Sequence, residues 1–126
     1  MKQLLTIMAI IESVAGLALL AAPSLVSTIL LATPLETAPG LIVARLAGAA
    51  LLTLGIACWL ARPEESSTAS LIAAMLFYNA AAAALLAYAR LGYGLGSVIL
   101  WPAVLLHAAL AAWCAVILRS VRQPAR

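Results

Sequence analysis

Four long apolar stretches dominate this chain, and each is interrupted by one strongly polar residue: Glu12, Arg45, Asn79 and His107. Such groups are expensive in hydrocarbon unless they face a protein interior and find partners there. Four of them at membrane depth predict helices that turn these residues toward one another. Few folds meet that demand. Inside a bilayer the backbone must satisfy its own hydrogen bonds, which leaves only helices and closed barrels. Stretches rich in Ala and Leu, with few β-branched runs, select the helix.

The 126 residues are 67% hydrophobic and 9% charged. An average soluble domain carries about 25% charge, so this chain cannot cover a water-facing surface. Its length accommodates four spans of about 20 residues and little else. The spans are read at 4–22, closed by Pro23, at 40–61, closed by Pro63, at 69–89 and at 97–118. The expectation is an all-α transmembrane four-helix bundle, one integral membrane domain over residues 1–126.

Basic residues set the orientation. Lys2, Arg62, Arg119, Arg122 and Arg126 fall on one side of a four-span layout, and Arg90 falls on the other. The positive-inside rule therefore places both termini and the middle loop in the cytoplasm. The net charge of +3 sits at helix ends, not on a basic face, so no nucleic-acid partner is expected. The start resembles a signal peptide, with Lys2 before an apolar run and Ala21-Ala22 after it. Glu12 within that run argues for a retained first span.

The segment from Pro23 to Pro39 is the one long connection. Leu25, Val26, Ile29, Leu30 and Leu31 fit one face of a short helix, with Ser24, Ser27 and Thr28 opposite. Pro23 suits its first turn. It is read as an interfacial helix, with the capacity to act as a lid. Between the second and third spans, Ser67 or Thr68 can cap the third helix. Gly92, Gly94 and Gly96 allow a tight outer turn, without the strand context of a nucleotide fingerprint.

Glu12 lies about 12 Å from the inner face at 1.5 Å per residue, and Asn79 and His107 lie near the midplane. Arg45 lies a turn or two outward, and its side chain can bend back to form an ion pair with Glu12. Each polar residue shares its helix face with small ones: Glu12 with Gly16, Arg45 with Gly48 and Ala49, Asn79 with Ala82 and Ala83, His107 with Ala103 and Ala111. Small residues let helices approach, which places these faces at helix contacts. Tyr78 points about 100° away from Asn79 on the same helix, so the two cannot serve one partner. The bland alternatives are a structural ion pair, an interhelical hydrogen bond and a core histidine.

His107 is the only histidine, Cys58 and Cys114 have no CxxC spacing, and no metal or cofactor is expected. Measured around its helix from Arg45, Cys58 points away from the polar face, so no disulfide is expected. Trp59 and Trp113 are read as anchors at the inner interface, Trp101 and Tyr93 at the outer.

Glu12-xxx-Gly16 followed by Pro23, Arg45-xx-Gly48 with Gly55, and a polar residue in each later span resemble the DoxX-like group of small bacterial four-helix membrane proteins. The resemblance implies a multi-pass protein of the bacterial inner membrane. For that group it implies links to redox partners and to lipid metabolism.

The leading functional expectation is a protein that binds a small amphipathic or lipid-like molecule between its helices. Glu12, Arg45, Tyr78, Asn79 and His107 would line the site. Two alternatives stand beside it. One is a membrane-embedded enzyme, an isomerase or quinone-linked oxidoreductase, using Glu12 and His107 for proton transfer. The other is a structural subunit of a homo-oligomer or larger membrane complex. In each case membrane lipid is the surrounding partner.

Overall fold

The computed structural model describes residues 1–62 and 65–122. It is all-helical in those residues: α1 Lys2–Ala21, α2 Pro23–Leu31, α3 Ala38–Leu60, α4 Glu65–Tyr93 and α5 Leu100–Arg122. Four of these helices are long and apolar enough to cross a membrane, and α2 is the short fifth. The bundle and the short helix match the sequence expectation. Two boundaries differ. The third span continues to Tyr93, because Leu91 and Gly92 prolong it until Gly94 takes a positive φ of 67°. The fourth begins at Leu100 because Ser97 is engaged elsewhere, as described below.

The architecture is two helical hairpins. In the first, α1 and α3 lie backbone to backbone. A Cβ added at Gly16 would stand 2.6 Å from the Leu52 amide nitrogen and 2.7 Å from the Gly48 carbonyl oxygen. One added at Gly48 would stand 2.8 Å from the Gly16 carbonyl oxygen. Only glycine permits that approach, which is why Gly16 and Gly48 face each other. The second hairpin is α4 against α5.

The hairpins meet through side chains. Leu4, Leu5 and Met8 of α1, Cys58 of α3, Ile72 and Met75 of α4, and Leu110 and Cys114 of α5 form one buried cluster. All lie in the half of the bundle that holds the start of α1, the end of α3 and the start of α4. The cluster places Cys58 on the interior face, against the sequence expectation. Arg45 was the wrong angular reference, since it is itself exposed. Both cysteines are free, as expected.

At the other end, α2 and the α4–α5 turn are clasped together. The Gly96 amide donates to Leu31 O at 3.0 Å and the Ser97 amide to Leu30 O at 3.1 Å. The Ser97 hydroxyl donates to Ile29 O. These carbonyls belong to the last turn of α2, where no intrahelical donor remains. Part of the polar side of α2 is engaged by the chain itself. Ser27 is buried and donates to Thr33 O at 2.6 Å, and the Ser24 hydroxyl accepts from the Leu35 amide at 3.2 Å. The serines hold the 32–37 loop, while Leu25 and Ile29 face outward. Nor does Thr68 cap α4. It lies inside the first turns, and its hydroxyl donates to Ala61 O at 3.1 Å. The side chain of Ser67 lies outside the described residues.

Candidate functional site at the hairpin seam

Three of the spans deliver polar side chains to one layer just above the apolar cluster. Glu12 follows Leu4, Leu5 and Met8 on the seam face of α1, one helical turn on from Met8. Asn79 follows Ile72 and Met75 on α4 with the same spacing. Both are buried, Glu12 to 1% exposure and Asn79 to 0%. His107 and Tyr78 are half-buried beside them.

The contacts run across the seam. Tyr78 Oη donates to Glu12 Oε2 at 3.0 Å, joining α4 to α1. The Tyr78 and His107 rings meet edge to face, with centroids 5.9 Å apart and an interplanar angle of 85°. His107 Nδ1 lies 2.8 Å from Asn79 Oδ1, and Asn79 Nδ2 donates to Met75 O at 2.9 Å. That last bond fixes the rest. A carbonyl oxygen only accepts, so the amide nitrogen of Asn79 must face Met75, and its oxygen must face His107. Nδ1 of His107 therefore carries its proton, and in the neutral ring Nε2 keeps the lone pair. Despite their 100° separation, Tyr78 and Asn79 both meet His107, Asn79 through its amide oxygen and Tyr78 through its ring, while the Tyr78 hydroxyl reaches on to α1.

One atom of this layer is unsatisfied. Glu12 Oε1 is buried without a hydrogen-bond partner. Leaving such an atom unpaired costs about 1–3 kcal/mol. It can accept from a ligand donor as a carboxylate, or donate to a ligand as an acid.

Arg45 does not meet Glu12. It is exposed, and its Nε donates to Leu20 O at 3.3 Å. Leu20 is eight residues beyond Glu12, about 12 Å along α1. The physical reason is the break at Ala22, where α1 ends and Pro23 starts α2. That break leaves carbonyls at the α1 C-terminus, where the helix dipole is negative, and a guanidinium is the natural cap. The sequence signal was the Ala22-Pro23 break itself, which the ion-pair expectation overlooked. Of the five expected site residues, Glu12, Tyr78, Asn79 and His107 come together and Arg45 stands apart.

Burial also changes at this layer. No residue of α4 beyond Asn79 is buried, and none of α1 beyond Gly16. On α5, from Leu100 up to Leu110, the intervening residues are half-buried or exposed. Ala82, Ala83, Ala103 and Ala111, which flank Asn79 and His107, are all half-buried. The seam is buried on the cluster side of the polar layer and only partly buried on the clasp side. No group of three or more His, Cys, Asp or Glu suited to a metal ion occurs among the described residues. Neither a known protein family, nor a curated protein, nor a solved structure matches the chain.

Proposed function

We propose that this is a small multi-pass membrane protein that holds an amphipathic, lipid-like molecule in the seam between its two hairpins. The observation that carries the reading is the buried, unpartnered Oε1 of Glu12 beside the Tyr78 hydroxyl. A ligand head group with a hydroxyl, amide or carbonyl completes that layer. Its apolar part lies along the alanines of α4 and α5, in the partly buried half of the seam, beneath α2. Placement in a bacterial inner membrane, with both termini in the cytoplasm, belongs to the same proposal. It draws on the charge distribution and on the DoxX-like layout.

The test is native mass spectrometry of the protein purified in nanodiscs made with the total lipid extract of its expression host. A discrete small molecule is expected to stay with the wild type and to be lost from Tyr78→Phe and His107→Ala proteins that remain helical. Wild-type protein that releases only bulk lipid, indistinguishable from the variants, overturns the reading.

A second reading is favoured by the Tyr78–Glu12 hydrogen bond and the His107 ring edge-on to Tyr78. A carboxyl, a phenol and an imidazole in contact can move a proton on a bound molecule, as in an isomerisation. It predicts that the retained molecule is converted by the wild type and left unchanged by Glu12→Gln.

A further inference from the structure

The face of the first hairpin that points away from the seam carries a second feature, independent of the proposal above. A groove of about 460 Å³ runs between α1 and α3, with Ala9, Ile10, Val14, Gly55, Ile56 and Trp59 on its walls. Its floor is the close contact of Gly55 with the Ala9 and Ser13 backbone, where no side chain fits. The walls are exposed: Ile10 to 55%, Val14 to 62%, Ile56 to 50% and Trp59 to 51%. A second hollow of about 320 Å³, lined by Lys2, Gln3, Thr6 and Ile7, continues the same stripe of α1 one turn nearer the helix start.

Arg62 stands where the two meet. Its guanidinium carbon lies 3.2 Å from the centroid of the Trp59 ring. Its Nε donates to Trp59 O at 2.9 Å and its Nη1 to the Thr6 hydroxyl at 3.4 Å. The planar group is held over the mouth of the apolar groove, with donors to spare. Lys2 lies on the α1 side of that mouth. An apolar channel of lipid-facing walls, ending in two basic side chains and an aromatic belt residue at the interface, has the charge and shape of a phospholipid seat.

We infer that the outer face of the α1–α3 hairpin is a selective site for one anionic glycerophospholipid. Its phosphate lies between Lys2 and Arg62, and one acyl chain lies along Ile10, Val14 and Ile56. The apolar groove calls for a chain, which free phosphate lacks. The basic mouth calls for an anionic head, which a neighbouring apolar helix lacks.

Trp59 is a built-in reporter. A Trp101→Phe/Trp113→Phe protein keeps it as the sole tryptophan. It is reconstituted in phosphatidylcholine bilayers containing a small fraction of either phosphatidylglycerol or phosphatidylcholine brominated on the acyl chains. Brominated phosphatidylglycerol is expected to quench Trp59 more strongly, with each basic residue contributing about a fivefold preference. Lys2→Gln/Arg62→Gln should remove the preference and Lys2→Arg should keep it. Ile56→Phe, which fills the groove, should weaken it without touching the charges. Equal quenching by the two lipids in the parent protein overturns the proposal. So does relief of the preference by millimolar inorganic phosphate, which marks a head-group site alone. Shielding of Trp59 from both lipids that grows with protein-to-lipid ratio overturns it too, and assigns the groove to a second copy of the chain.

Discussion

Asn79 is held from two sides, and that decides what its loss costs. His107→Leu leaves Asn79 Oδ1 buried without a donor, so it should destabilise the bundle by about 1–3 kcal/mol. Adding Asn79→Leu removes the stranded atom and should recover part of that loss, measured by steric-trap unfolding in bicelles. A double mutant no more stable than His107→Leu would mean the hydrogen bond is not made. Arg45 gives the opposite expectation. Because it caps α1 and does not pair with Glu12, Glu12→Leu and Arg45→Leu should combine additively, within about 0.5 kcal/mol. A larger coupling would restore the ion pair. At this scale the sequence was informative about depth and poor about direction. Hydropathy marks a residue's position along a span, so the shared layer of Glu12, Asn79 and His107 could be read. The side-chain reach of Arg45 allowed either a bend inward to Glu12 or an outward turn to Leu20 O. Only the break at Ala22 decides between them.

Elements show the same division. Apolar length located the four spans, and Pro23 located the short helix. Gly16 and Gly48 marked faces at helix contacts, and the structure sets those two faces against each other, because close approach demands residues without side chains. A prediction belongs here. A side chain at Gly48 would strike the Gly16 carbonyl, the Leu19 Cβ and the Leu20 amide nitrogen of α1. Gly48→Val should therefore cost about 1–3 kcal/mol through overpacking, read as lost stability of the first hairpin. A Gly94→Ala change meets no neighbouring atom within 4 Å, yet it sits at φ 67°. It should cost about 1 kcal/mol, through backbone strain alone. The inward serines of α2 were not legible. A polar face on a short helix reads the same whether it meets water or its own following loop.

The whole molecule is two tight hairpins with a side-chain seam between them, dense at one end and only partly buried at the other. The dense end holds both cysteines. Cys58 and Cys114 should resist a membrane-permeant maleimide while the bundle is intact and react together once it is unfolded. Early labelling of one would show that the apolar cluster opens. Orientation is a property of this scale as well. Reporter fusions after Arg126 should behave as cytoplasmic, since five of the six basic residues outside the spans lie at that end. Export of the fused reporter would invert the arrangement. The pairing of α4 with α5 follows from their short connection, whereas α1 pairs with α3 across the long Pro23–Pro39 segment through its glycines, and the partial exposure of the seam near α2 was not legible. It depends on where alanines face one another across the gap, which no single helix records.

The clasp at the α2 end has a consequence for the order of events in synthesis. When the first hairpin is complete, the carbonyls of Ile29, Leu30 and Leu31 have no partner, because Gly96 and Ser97 do not yet exist. Water must serve them until the second hairpin crosses. The α2 terminus therefore waits at the membrane surface, and it settles over the seam only when the last turn arrives. The molecule proposed for the seam would have that interval in which to enter before the roof is tied down.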